Sequence, residues 1–247
     1  LFCVMDEEGR ILREDAMPPL EDGEARDAYR RMLFARTADA LSVSFQRQGR
    51  MFTYPPNLGQ EAIAGAFGRV MRKEDWLVPA FRELGAWIQK GARMRDIFKL
   101  WMGIEEGNRM SEAPRMLPPA VPIASQCLHA AGIGKAMRYL KEEAAVFVFV
   151  GDGGTSSGDF HEALNFAAVW DAPVVFIIQN NQYAISVPLR MQTRARTLAS
   201  KAEGFGIPGI QVDGNDFLAL STVAQAARRR ALETGPVLIE ALTYRRG

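Results

Sequence analysis

Ala145-Val146-Phe147-Val148-Phe149-Val150-Gly151-Asp152-Gly153-Gly154 is a run of apolar, largely β-branched and aromatic residues that breaks into glycines around one carboxylate. No polar residue alternates through residues 145–150, so the run reads as a parallel strand covered on both faces and the glycines as the loop after it. Residues 174–179 repeat the pattern and end in Asn180-Asn181. Between the two runs, residues 159–170 have helical spacing. Beyond them come a helix over 197–205, a strand over 210–212 and a turn at Asp213-Gly214-Asn215-Asp216. A helix over 219–233 and a strand over 237–243 follow. Strands alternating with helices predict an α/β fold, an open and mainly parallel sheet covered by helices on both faces.

Upstream the pattern is helical. Residues 1–23 read as an extended N-terminal arm, broken at Met17-Pro18-Pro19 and turning at Glu21-Asp22-Gly23. From 24 to 48, Ala28, Met32, Ala35, Leu41 and Phe45 recur at helical spacing. Helices are expected over 58–72, 84–90, 94–102 and 125–139, with a Pro-rich connection over 114–122. The expected organisation is an arm, 1–23, and one domain, 24–247, truncated at its C-terminal end. Neither end reads as a natural one, because the chain has no initiating Met and stops straight after a strand.

The 247 residues are 48% hydrophobic and 24% charged, which suits a globular domain and excludes disordered and collagen-like classes. A net charge of +1 gives no reason to expect nucleic acid. Arg228-Arg229-Arg230, set among alanines, reads as a solvated helix face. The longest apolar runs have strand length, so no membrane span is expected. Cys3 and Cys127 form no disulfide framework and suit a reducing compartment, the cytoplasm or an organelle matrix.

In open parallel sheets, ligands bind beyond the carboxyl ends of the strands, where connections part to opposite faces. The loops after residues 150 and 179 are read as occupying that position. Gly153 and Gly154 permit φ > 0 and close approach to a phosphate, and the helix beginning near Asp159 adds its positive end. Asp152 among such groups would repel an anion unless a cation intervenes. Magnesium, Mg2+, takes oxygen ligands and shares them with phosphate and water. The Asp152 carboxylate, the Asn181 side-chain carbonyl and the main-chain carbonyl of Tyr183 are the expected protein ligands. His129, among alanines on a helix, is expected in the core or an interface. His161, in the first turn after the glycines, is not expected to be catalytic.

Gly151-Asp152-Gly153 followed by Asn180-Asn181 resembles the thiamine-diphosphate motif, and the string from Gly151 to Ser186 is similar to the alpha subunits of 2-oxo acid dehydrogenases. Gly59-Gln60-Glu61-Ala62, Phe81-Arg82, Trp101-Met102-Gly103, the string from Gly209 to Asp216 and that from Thr243 to Gly247 fall in family order. The resemblance implies the thiamine-diphosphate-binding fold. It implies oxidative decarboxylation of a 2-oxo acid, with pyruvate favoured over branched-chain substrates, and acyl transfer to a lipoyl group. Thiamine diphosphate and Mg2+ are the implied cofactors. The implied partners are a beta subunit, in an α2β2 heterotetramer, and a lipoyl-bearing acyltransferase. Arg82, beside Phe81, would hold the diphosphate, and main-chain groups around Val121 and Ile123 the aminopyrimidine. Gly151, Asp152, Gly153, Gly154, Asn181, Tyr183, Ala184 and Ile185 complete the implied site. The active-site histidine is expected on a loop beyond Gly247, and the carboxylate that activates the cofactor on the beta subunit. Small-residue helices at 62–68 and 130–136 are expected to pack against the partner. Two other readings are the cofactor-binding half of a split transketolase and a non-catalytic assembly subunit. The small number of histidines weakens the first, and the Asp152/Asn181 pair weakens the second.

Overall fold

In the computed structural model, which describes residues 1–109 and 115–246, a five-stranded sheet is entirely parallel. Pro114, where the Pro-rich connection was expected to begin, and Gly247 lie outside the described residues. In chain order the strands are β1 (Trp76–Val78), β2 (Val146–Gly151), β3 (Val174–Asn180), β4 (Tyr183–Ala184), β5 (Val187–Pro188), β6 (Gly209–Asp213) and β7 (Val237–Leu242). The sheet runs β1-β2-β3-β7-β6, while β4 and β5 make a small antiparallel ribbon. The helices are α1 (Asp22–Arg47), α2 (Glu61–Val70), α3 (Leu84–Lys90), α4 (Met94–Trp101), α5 (Ser125–Leu140), α6 (Gly158–Val169) and α7 (Phe217–Thr234).

The uninterrupted apolar runs form central strands, and every residue of β3 is buried. Successive side chains leave opposite faces of the sheet. Phe147, Phe149, Val175, Ile177 and Ile239 enter one core with α2, α3, α4 and α7, while Val146, Val148, Val150, Phe176 and Ile178 enter a second with α5 and α6. Each fully buried chain of this size stabilises the fold by about 1.5–3 kcal/mol. The arm is tied down: Phe2 exchanges main-chain bonds with Gln211 and Asp213, covering the outer edge of β6.

Several local features depart from the expectations. The strand β1 lies in a region read as helical, because three residues leave no legible run. Residues 199–205 form a 3-10 helix, Ala199–Phe205, and not an α-helix. Glycines at 204 and 206 interrupt the segment, and Gly206 ends it with φ 68°. Arg228 is not on a solvated face. It is buried and makes a two-pronged pair with Asp75 at 2.8 and 3.1 Å, while Arg229 and Arg230 are exposed. The small residues of α2 serve this chain's own packing, since a Cβ on Gly65 would lie 3.0 Å from Met32 of α1.

Candidate functional site

The chain leaves β1 for α3 on one face of the sheet and leaves β2 for α6 on the other. The parting therefore lies between β1 and β2. It does not lie between the loops after β2 and β3, because Leu198 and Ala202, downstream of β3, pack in the same core as α6. A crevice at such a parting is the usual ligand position in an open parallel sheet. Here it is a cavity of about 580 Å3.

Of the expected site residues, Phe81, Arg82, Ile123, Gly151, Asp152, Gly153, Gly154, Asn181, Tyr183, Ala184 and Ile185 line this cavity. Val121 does not: it is 65% exposed, and its neighbours Ala120 and Ile123 face the cavity instead. The glycines do not use the positive φ that was expected of them, and packing gives a further reason for them. Residues 152–156 form a 3-10 turn, and neither Gly153 nor Gly154 has positive φ. A Cβ on Gly153 would lie 2.6 Å from the Ala184 Cβ, and one on Gly154 would lie 2.4 Å from Val150 Cγ2. Close packing of the ribbon and of β2 requires them.

Asp152 is almost wholly buried, and burial pushes its pKa up. Gln192 Nε2 donates to Asp152 Oδ2 at 3.1 Å, which together with nearby main-chain N–H groups opposes that shift. Asn181 Oδ1 accepts the Tyr183 N–H at 3.3 Å and keeps a second lone pair free in the bonding pattern. The preceding Asn180 is a structural residue. Its amide donates to Glu240 at 2.7 Å, and its Oδ1 accepts the Gln182 N–H at 3.0 Å. Among the described residues, no three or more His, Cys, Asp or Glu side chains form a cluster that could hold a metal. One carboxylate with one amide carbonyl and a main-chain carbonyl is instead a donor set for a hard cation that completes its shell with water or phosphate.

Arg82 enters from the loop after β1. Its Nη1 donates to the Pro56 carbonyl, and the Tyr54-to-Asn57 loop is fixed in turn by Asp39 of α1, which accepts from Tyr54 Oη and Asn57 N at 2.8 Å each. Burial, and then the charge of Arg245, lower the Arg82 pKa. Two guanidinium groups, Arg82 and Arg245, line the cavity with Asp152 and Glu83, and a guanidinium fork there suits an anion.

Sequence reasoning missed Glu83, Gln60, Gln126, Gln179 and Arg245 in the lining, and Gln192 behind Asp152. Glu83 directly follows the expected Arg82, while Gln60, Gln179 and Arg245 fall in the family-like strings Gly59-to-Ala62, Gly151-to-Ser186 and Thr243-to-Gly247; these were the available signals. Gln192 had none, since its role depends on the ribbon folding back. Both amide atoms of Gln60 and the Oε1 atoms of Gln126 and Gln179 are buried without hydrogen-bond partners. Such orphaned atoms around one cavity fit a polar ligand. Neither histidine lines it. His161 packs between Phe160 and Phe205, and His129 is exposed beside an apolar groove and does not belong to the core.

Residues 29–247 match the family described as dehydrogenase E1 component. The chain is 43% identical over 243 residues to a pyruvate dehydrogenase E1 component subunit alpha of Acholeplasma laidlawii, covering 98% of this chain and 70% of that one. It is 42% identical to the protein of that name from Staphylococcus aureus, covering 99% and 66%, and 40% identical to that from Bacillus subtilis, covering 100% and 67%. The chain thus spans about two thirds of the length of these relatives. Among solved structures it is similar to a Pichia stipitis transketolase in complex with xylulose 5-phosphate, with TM-score 0.68 and 17% identity. The match covers 86% of this chain and 36% of that one. A Leishmania mexicana transketolase gives TM-score 0.64 at 17% identity, with the same coverage. These structural likenesses establish the fold.

Proposed function

This chain belongs to the dehydrogenase E1 component family, and on that premise we propose that it is the alpha subunit of a thiamine-diphosphate-dependent 2-oxo acid dehydrogenase acting on pyruvate. The observation that carries the reading is the convergence of Asp152, Asn181 and Arg82 on one cavity from separate loops. Residues 24–247 act as the cofactor domain, with 1–23 as an arm. Bound in the cavity, thiamine diphosphate supplies the carbanion stabilisation that loss of carbon dioxide from a 2-oxo acid requires.

The chain's own residues bind, orient and exclude water. Arg82 takes the diphosphate, its fork held in place by Pro56. Asp152, Asn181 and the Tyr183 carbonyl hold Mg2+, which offsets the carboxylate's repulsion of phosphate. The name borne by the relatives supports a beta subunit as partner. That subunit would supply the carboxylate that faces the aminopyrimidine, and a lipoyl-bearing acyltransferase would accept the acyl group. The cytoplasm, or the mitochondrial matrix of a eukaryote, suits such a complex.

The test uses the complex reconstituted with its beta subunit. Carbon dioxide release should be fastest with pyruvate across a panel of 2-oxo acids; a branched-chain acid turned over faster would reassign the substrate. Asp152→Ala should abolish Mg2+-dependent binding of thiamine diphosphate and leave the melting temperature within a few degrees. Unchanged affinity and metal dependence would overturn the metal assignment.

A further inference from the structure

Glu83 is wholly buried and lines the cavity next to Arg82. Its Oε2 accepts the Arg82 main-chain N–H at 3.1 Å, and its Oε1 meets the side-chain amide of Gln179. Gln179 is buried as well, and its own Oε1 has no partner. A carboxylate at Glu83 would thus occupy the amide's donor and leave its acceptor orphaned, a state that costs about 1–3 kcal/mol.

Turning the Gln179 amide over exchanges its oxygen and nitrogen at almost no cost in shape. That rotamer removes the orphaned acceptor if Glu83 carries a proton, and exchanges it for an N–H donor that a phosphate oxygen can satisfy. The acid O–H donates to Gln179 Oε1, Glu83 Oε2 still accepts from Arg82, and the Gln179 NH2 takes the place of the orphaned acceptor. Gln179 of β3 pairs in register with Gly151 of β2, and both residues line the cavity.

We propose that Glu83 is a positioning residue that, as a neutral acid, holds Gln179 with its amide N–H turned toward the cavity as a donor to the diphosphate. This rests on the thiamine-diphosphate reading above. The charged groups lining the cavity around Glu83 are Arg82, Asp152 after β2 and Arg245 after β7; Asp39 and Tyr54 stand behind Arg82. Arg82 favours the carboxylate but turns its guanidinium to Pro56. Burial outweighs it and raises the Glu83 pKa to about 8. A neutral acid also adds no negative charge beside the anion.

The test measures thiamine diphosphate affinity of the reconstituted complex on both sides of about pH 8. Wild-type affinity should fall about tenfold for each pH unit above that point, the slope of one linked proton. Glu83→Gln, a permanent mimic of the neutral acid, should restore binding to within a few-fold of wild type and abolish the alkaline fall. Gln179→Leu should weaken diphosphate binding about tenfold or more at neutral pH and leave binding of thiamine without the diphosphate unchanged. If wild type binds the cofactor and Glu83→Gln shows the same alkaline fall, or Gln179→Leu loses no affinity, the inference fails and the proposed function stands. If wild type binds none at any pH, both fail.

Discussion

Gly151 and Gly154 sit in one turn under different constraints. A methyl at Gly154 would collide with Val150 Cγ2 at 2.4 Å and crowd Ile123 Cγ2 at 3.2 Å. Gly154→Ala should therefore cost about 1–3 kcal/mol, as overpacking does, and thermal melts should show it whether or not cofactor is present. Gly151 has extended φ and ψ and, among the described residues beyond its chain neighbours, no atom within 4 Å of the corresponding position, yet it lines the cavity. Gly151→Ala should keep its melting temperature and lose cofactor affinity; a lowered melting temperature with unchanged affinity would show that the space beside it is not used by the ligand. Glu83 makes stability depend on pH without any ligand. Its folded-state pKa is about 8 against an ordinary glutamate value of 4.5. Between those values the folded chain keeps a proton that the unfolded chain has released, so stability falls as pH rises. Its contribution is full below about pH 4.5 and lost by about pH 8. Denaturant melts of wild type and Glu83→Gln should diverge through that window and run parallel above it.

At the scale of elements, β1 shows why some of the fold was legible and some was not. The strands β2, β3 and β7 announce themselves, because burial on both faces demands long apolar runs with no polar alternation. A three-residue edge strand leaves no such signature, and β1 exists through its pairing with β2. That strand sets the loop carrying Arg82 and Glu83 and creates the parting, so the sequence named Arg82 only through family resemblance. The helix α7 was legible by period, but the burial of Arg228 was not, since its partner Asp75 lies 153 residues away. Asp75 also accepts the Ala145 N–H at 2.8 Å and the Arg72 N–H at 2.7 Å, so one carboxylate joins α7 to the starts of β1 and β2. Arg228→Ala would leave that carboxylate buried and uncompensated, at a cost of about 3–5 kcal/mol. The pair lies at the end of the sheet opposite the cavity. Cofactor affinity of the folded fraction should therefore be unchanged while denaturant midpoints fall, and a parallel loss of affinity would mean that the two ends of the sheet are coupled.

For the whole molecule, the cavity has a floor and two walls but a mouth rimmed by apolar residues that face solvent. Ile185, at the tip of the β4–β5 ribbon, is 86% exposed and has φ 55°, a left-handed conformation that costs a β-branched residue about 1–2 kcal/mol. Ile123, which also lines the cavity, is exposed as well. A strained, exposed isoleucine lining a pocket adds little to this chain's own stability and is placed to meet a bound molecule or partner. The beta subunit of the proposed complex is the cover that chemistry requires, since charge development on the cofactor needs a site from which water is excluded. Among the described residues, the carboxylates lining the cavity are Asp152, proposed for the metal, and Glu83, proposed to hold Gln179. Under the proposed function neither would be free to activate an aminopyrimidine, and that task would fall to the beta subunit. The 247-residue chain alone should accordingly bind thiamine diphosphate weakly and release no carbon dioxide from pyruvate, with binding tightening by tenfold or more, about 1.4 kcal/mol, when the beta subunit is added. Calorimetric titration with and without the partner, beside a carbon dioxide assay, decides it: rapid decarboxylation by the isolated chain would show that its own residues complete the site.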